Sequence, residues 1–266
     1  MLRLRRRHWR SLLLGLVPAT VSLTAAPAAQ AQLAPNLHYD GRVTLARLKY
    51  TPVAEPGGCQ AADSPAGQGW GHDYPMSVQG LLKAATELLS VEAVVDSNLV
   101  LTADDPELLK YPLLMVTEPG CWNPTDKEAK ALREYLLKGG FLFADDPTFG
   151  DCTPEHCALA IERFEQWMKK VLPDGRVIHL PASDPVFDGF FKLDPTDLPG
   201  YSAEPAQIAG IYQDNDPTKR LLVVANYWAT LGQTWRYVST DLGSGIEQGG
   251  AEYRMGLNTL IYSLTH

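Results

Sequence analysis

The stretch that most constrains this chain is residues 123–150, NPTDKEAKALREYLLKGGFLFADDPTFG, which holds a helix, a stop, a strand and two adjacent carboxylates. Thr125 followed by Glu128 forms a capping box, in which two side chains answer the unpaired N–H groups of a helix start. Ala129, Leu132, Tyr135 and Leu136 recur at helical spacing, while Lys127, Lys130, Arg133, Glu134 and Lys138 fill the wet face. Gly139-Gly140 supplies a left-handed stop. Phe141 to Ala144 is then too short and too apolar for anything but a buried strand. Asp145-Asp146-Pro147 falls at the carboxyl end of that strand, and in open α/β sheets ligands bind in the crevice outside those ends.

The rest of the chain repeats this alternation. Residues 43–48, 91–101 with a turn around Asp96-Ser97-Asn98, 112–116, 176–180, 208–212, 221–225 and 235–240 read as strands. Helical spacing marks residues 78–89, with Ser77 as the cap, then 154–172 and 253–264. Pro106 after Asp104-Asp105 opens a helical turn. Asp214-Asn215-Asp216-Pro217 between two strands is a hairpin signal. Alternating strands and helices imply a mostly parallel sheet covered on both faces, with an antiparallel hairpin added near the C-terminus. The expected fold class is therefore α/β. No linker divides the chain, and residues 41–266 are expected to form one domain.

Residues 1–31 have the composition of a cleaved export signal. Arg3, Arg5, Arg6, Arg7 and Arg10 precede a short apolar run and the A-x-A site Ala29-Gln30-Ala31. That run is about half the ~20 residues a membrane span requires, and Pro18 interrupts it. Residues 32–40 would then be a flexible leader. The full chain carries a net charge of −8, and removing five arginines and no acid would take it to −13. Such a balance excludes nucleic acid, whose phosphates need a basic footprint, and anionic lipid surfaces. The expected location is the periplasm or the exterior.

Four cysteines in an exported chain favour disulfides. Cys152 with Cys157 is the local bridge suggested by spacing, which leaves Cys59 for Cys121, although spacing alone does not fix the connectivity. Asp151, Cys152, His156 and Cys157 offer metal-ligand types, but no C-x-x-C pair is present and the zinc spacing is poor, so no metal site is expected from them.

The chemistry-bearing candidates lie at strand and helix ends. Asp145 and Asp146 are the catalytic candidates: two close carboxylates can raise one pKa for acid catalysis or hold a divalent cation. Against this, adjacent strand residues face opposite ways, and an aspartate before a proline turn commonly ties down backbone N–H groups. The long loop at residues 51–74 carries Trp70, His72, Asp73 and Tyr74, a candidate wall of a binding site, with Glu118 and Trp122 near the next strand end. Alternatively, Trp70 and Tyr74 simply anchor the loop on the core. Cys121 follows a strand and precedes a helix, as a nucleophile would, but no G-x-C-x-G elbow surrounds it.

Taken together, Trp70 with Asp73-Tyr74-Pro75, Tyr111-Pro112, Leu132-Arg133 through Tyr135-Leu136-Lys138-Gly139-Gly140-Phe141, and Asp145-Asp146 resemble the bacterial family called domain of unknown function 4159. So do Asp184-Pro185-Val186-Phe187, Gly210-Ile211, Arg220-Leu221-Val223-Val224 and Met255-Gly256-Leu257-Asn258 with Tyr262. The resemblance implies the class I glutamine amidotransferase architecture, a flavodoxin-like three-layer sandwich also seen in trehalose-utilisation-like proteins. It implies no particular activity. Where relatives carry Gly-His after the strand, this chain has Glu118-Pro119-Gly120-Cys121, and where they carry His-Pro it has Asp184-Pro185. The expected function is a non-catalytic module of the bacterial cell envelope that binds a small polar ligand or a protein partner. The alternative is a periplasmic hydrolase of a carbohydrate or similar substrate, using the strand-end carboxylates with or without a divalent metal.

Overall fold

The computed structural model describes residues 35–53, 69–96, 98–145, 154–200, 205–239 and 250–266. Among these, seven strands form one sheet: β1 (Ala46–Leu48), β2 (Val100–Leu101), β3 (Leu113–Thr117), β4 (Phe141–Asp145), β5 (Ile178–His179), β6 (Gln207–Tyr212) and β7 (Leu221–Tyr227). Their order is β2-β1-β3-β4-β7-β6-β5. All neighbours are parallel except β6, which runs antiparallel to both β7 and β5. The result is a flavodoxin-like α/β sandwich whose hairpin, β6–β7, lies where the sequence places it.

Helices α1 (Met76–Leu89), α2 (Asp126–Leu137), α3 (Pro154–Val171), the short α4 (Leu231–Trp235) and α5 (Gly250–Thr265) surround the sheet. Strand alternation sends Leu45, Met115, Phe143 and Val224 into a core shared with α1 and α5. Ala46, Leu114, Val116, Leu142 and Ala144 point to the other face, against Leu132 and Leu136 of α2 and Phe164 and Trp167 of α3. Among the described residues, no helix is long and apolar enough to cross a membrane.

The helix–stop–strand stretch is held from several sides. Thr125 and Glu128 make both halves of the capping box. The Tyr135 hydroxyl donates to the carbonyls of Pro112 and Phe141 at 3.0 and 3.3 Å, and its ring lies so close that a Cβ at Gly140 would sit 2.4 Å from it. Arg220 donates to the carbonyls of Gly140 and Leu136, so a cation closes the C-terminus of α2. Arg133 does the same for α3, reaching the carbonyls of Val171 and Lys170 at 2.5 and 2.6 Å. These residues therefore hold the helix–stop–strand stretch in place.

Three expectations fail locally. The described part of the expected strand at 235–240, residues 235–239, adds no strand. They form the end of α4 and a 3-10 turn, Arg236–Ser239, because Trp235 stacks on Phe143 across the sheet face, centroids 5.5 Å apart, and its indole N–H donates to the Glu252 carbonyl. Ser77 does not cap α1, whose N-cap is Pro75; its hydroxyl serves Arg47 instead. Among the described residues of 91–101, Val100–Leu101 forms a strand, and Ala93 and Asn98 make isolated bridges to Val43 and Asn36 on either side of the expected turn.

Candidate functional site

The chain leaves β1 to one side for β2 and returns on the other side for β3, so the topological switch point lies between β1 and β3. The crevice outside such a point is where open α/β sheets take ligands. β3 ends at Thr117, and the next residue, Glu118, adopts a left-handed conformation (φ 48°, ψ 48°) before the 3-10 turn Pro119–Cys121. Glutamate pays a steric penalty there, on the order of 1–3 kcal/mol. Asp73, on the loop leading into α1, is also left-handed (φ 57°). The Tyr50 hydroxyl, just past β1, secures the turn by reaching the carbonyls of Thr117 and Glu118 at 2.9 and 2.7 Å.

These two strained residues hold their carboxylates on either side of His72. The imidazole Nδ1 lies 2.8 Å from Glu118 Oε1, and Nε2 lies 3.5 Å from Asp73 Oδ2. The side chains are only 12 %, 2 % and 4 % exposed for His72, Asp73 and Glu118, so the cluster is largely stripped of water. Asp73 Oδ1 accepts from Arg236 at 2.8 Å, whereas its buried Oδ2 accepts no hydrogen bond. Gly69 makes room for the cluster: a Cβ there would lie 2.7 Å from Glu118 Oε2 and 2.9 Å from the Tyr50 hydroxyl.

Beside the cluster, a polar row crosses the sheet on the α1 side. Arg47 of β1, Thr117 of β3, Asp145 of β4 and Asn226 of β7 are all buried there. Arg47 is completely buried and donates to the hydroxyls of Thr117 and Ser77, while its Nε has no acceptor. Burial pulls its guanidinium down from the ordinary value, and Asp145 opposes that pull. Asp145 accepts from Asn226 Nδ2 at 3.0 Å, from Leu231 N–H at 3.0 Å and from Gly232 N–H at 2.8 Å. Burial pushes its carboxyl up, against those three donors and Arg47.

The sequence candidates therefore separate. His72, Asp73 and Glu118 come together at the switch point. Trp70, Tyr74 and Trp122 are 1 %, 3 % and 3 % exposed: they pack in the core beneath the crevice and do not wall it. Trp122 stacks on Tyr50 and meets Trp167, and the Tyr74 hydroxyl donates to Asn98. Asp145 ties the end of β4 to β7 through Asn226 and to the start of α4 through Leu231 and Gly232. Asp146, Cys59 and Cys152 lie outside the described residues, as do residues 1–31. Cys121 and Cys157 are disulfide-bonded, so Cys121 offers no thiolate for nucleophilic attack. Among the described residues no three His, Cys, Asp or Glu side chains are arranged to hold a metal ion; His72 turns one nitrogen to each carboxylate, so the three groups share no common point.

Sequence reasoning missed Arg47, Tyr50, Ser77, Thr117, Asn226 and Arg236. Arg47 had a readable signal, since a charge inside the alternating strand LARL must either face water or be held by partners. The others depend on long-range contacts with no local mark.

Fold and crevice define a flavodoxin-like α/β module with a charged cluster at its topological switch point. The chain belongs to the family described as Domain of unknown function (DUF4159), whose model matches residues 44–264. No curated protein matches it.

Proposed function

We propose that the protein is a non-catalytic module of the bacterial cell envelope that binds a small polar ligand at the β1/β3 switch point, through Asp73, His72 and Glu118. One observation carries the reading: two non-glycine residues, Asp73 and Glu118, are held in left-handed conformations that place their carboxylates on a nearly buried imidazole. Strain of this kind persists where the surrounding structure fixes it, and it concentrates at ligand sites. The unsatisfied Asp73 Oδ2 supplies an acceptor for a ligand hydroxyl or amine. Export rests on the arginine-rich, apolar and A-x-A pattern of residues 1–31, and that compartment suits the bridged Cys121 and Cys157, with Cys59 and Cys152 as the proposed partners.

A hydrolytic reading based on Asp145 has less support, because a general acid or base must reach a substrate proton, and Asp145 is fully buried under three donors. The test is a melting-temperature screen of residues 32–266 against sugars, polyols, amines and divalent metals, run beside Asp73→Asn. A ligand bound only by the folded state raises stability by about 2.7 kcal/mol at a hundredfold excess over its dissociation constant. A shift that the wild type shows and Asp73→Asn loses supports the reading. No shift across the panel, or one that Asp73→Asn retains, rejects it.

A further inference from the structure

β2 stands at one edge of the sheet. Leu99 and Leu101 turn their carbonyls to β1, where they accept from the Arg47 and Lys49 N–H groups at 2.8 Å each. Val100, between them, therefore presents its N–H and C=O outward, the template that an edge strand offers to another chain. The side-chain amide of Asn36 fills that template. Its Oδ1 accepts from the Val100 N–H at 2.9 Å, and its Nδ2 donates to the Val100 carbonyl at 2.7 Å. Next to it the Leu37 N–H donates to the Asn98 carbonyl at 2.8 Å, and the Leu37 side chain packs against the core. Tyr39 meets Tyr111 at right angles, with ring centroids 5.4 Å apart. Asn36 to Tyr39 thus form a strap laid along the edge.

Asp40, Gly41 and Arg42 alone join the strap to the body of the fold. Val43, the next residue, is already fixed there: its N–H donates to the Glu92 carbonyl and its carbonyl accepts from Val94, both at 2.9 Å. The chain reverses through Gly41 at φ 89°, where a Cβ would meet nothing within 4 Å, so conformation and not space calls for glycine. Asp40 closes the turn by accepting from the Arg42 N–H at 3.0 Å and pairing with the Arg42 guanidinium at 2.6 Å. Those two side chains are 42 % and 44 % exposed, and an ion pair so exposed holds a turn only weakly. A short, sharply folded hinge that carries a small docking element is the arrangement from which two copies exchange that element, because every docking contact can form between copies while the hinge straightens.

We propose that the β2 edge is an interface for a second copy of this chain, in which the two copies exchange straps and the Asn36 amide of each caps Val100 of the other. Closed and exchanged forms make the same strap contacts, so the hinge and the protein concentration decide between them. A strap on so short a tether faces its own edge at about millimolar effective concentration, which sets the range where exchange competes. The interface uses none of the side chains of Asp73, His72 and Glu118.

Sedimentation equilibrium of residues 32–266, from micromolar to millimolar concentration, tests the exchange. The wild type should be monomeric at the low end and enter dimers toward the high end. Gly41→Val, whose β-branched side chain resists φ 89°, should strengthen dimerisation at least tenfold. Adding Asn36→Ala to Gly41→Val should restore the monomer, since an exchanged strap needs the same amide contacts. A Gly-Ser-Gly-Ser insertion after Gly41 lets the strap fold back without strain and should keep the protein monomeric throughout. Gly41 and Asn36 are both exposed, and unchanged melting curves verify that the variants fold. A wild type that stays monomeric to millimolar concentration overturns the proposal. So does a Gly41→Val protein no more associated than the wild type, or a dimer that survives either Asn36→Ala or the hinge insertion.

Discussion

The Gly232 N–H donates to Asp145 Oδ2 at 2.8 Å, and a Cβ on Gly232 would lie 2.8 Å from that same oxygen. The last residue of β4 thereby holds the first turn of α4, and the glycine permits the approach. Since Asn226, Leu231 and Gly232 all donate, Asp145→Asn turns an amide NH₂ toward donors. The expected loss is about 3 kcal/mol, the scale for breaking a buried charge-assisted network. Urea unfolding measures it, as a lower midpoint at unchanged slope.

Gly232→Ala should cost about 1–3 kcal/mol by forcing methyl and carboxylate apart. Because the two substitutions damage one contact, the double variant should be less destabilised than the sum of the singles. Unfolding free energies of the four proteins check this, and strict additivity would mean the contact is unimportant.

Glu118→Gly separates strain from function. Glycine adopts φ 48° without penalty, which relieves about 1 kcal/mol, while the contact with His72 is lost. The melting temperature should fall by less than in Glu118→Ala, which loses the same contact and keeps the strained backbone, and any ligand response of the crevice should vanish. Equal melting temperatures for the two variants would show that the left-handed turn stores no strain.

Alkaline pH should destabilise the fold through its tyrosines. Burial is the leading cause that raises the phenols of Tyr74, Tyr111, Tyr135, Tyr212, Tyr227 and Tyr262 above their ordinary value. A raised folded-state pKa means the native protein holds its protons longer than the unfolded chain does. That stability is complete below the unfolded value, about 10, and is lost as pH climbs above it. Melting temperature followed from pH 8 to 11 should fall beyond pH 10, and tyrosinate absorbance should develop later in the native than in the denatured protein. Tyr135→Phe should flatten the fall and cost about 1 kcal/mol at neutral pH through its lost hydrogen bonds.

The fold was largely legible because periodicity and caps are local. Thr125 with Glu128, the Gly139-Gly140 stop and the apolar Phe141–Asp145 strand all stand where their neighbours dictate. Residues 235–240 misled because a Trp–Phe stack on Phe143, a partner far away in sequence, decided helix over strand. At the site, His72, Asp73 and Glu118 could be named from their places in loops at element ends. Their mutual geometry could not, since it depends on the left-handed turn at Glu118 and on space left by Gly69. Trp70, Tyr74 and Trp122 looked like a ligand wall because aromatics in a loop serve a crevice or a core equally well, and only burial distinguishes the two. The structural role of Asp145 was similarly hidden, because its donors at Leu231 and Gly232 lie far along the chain.

The most direct test of the crevice is a comparison of ligand-induced melting shifts in the wild type and Glu118→Gly across one panel of polar ligands. The account predicts at least one ligand that raises the wild-type melting temperature and leaves that of Glu118→Gly unmoved. Equal shifts in both proteins would place the ligand elsewhere and contradict the assignment of Asp73, His72 and Glu118 as its site.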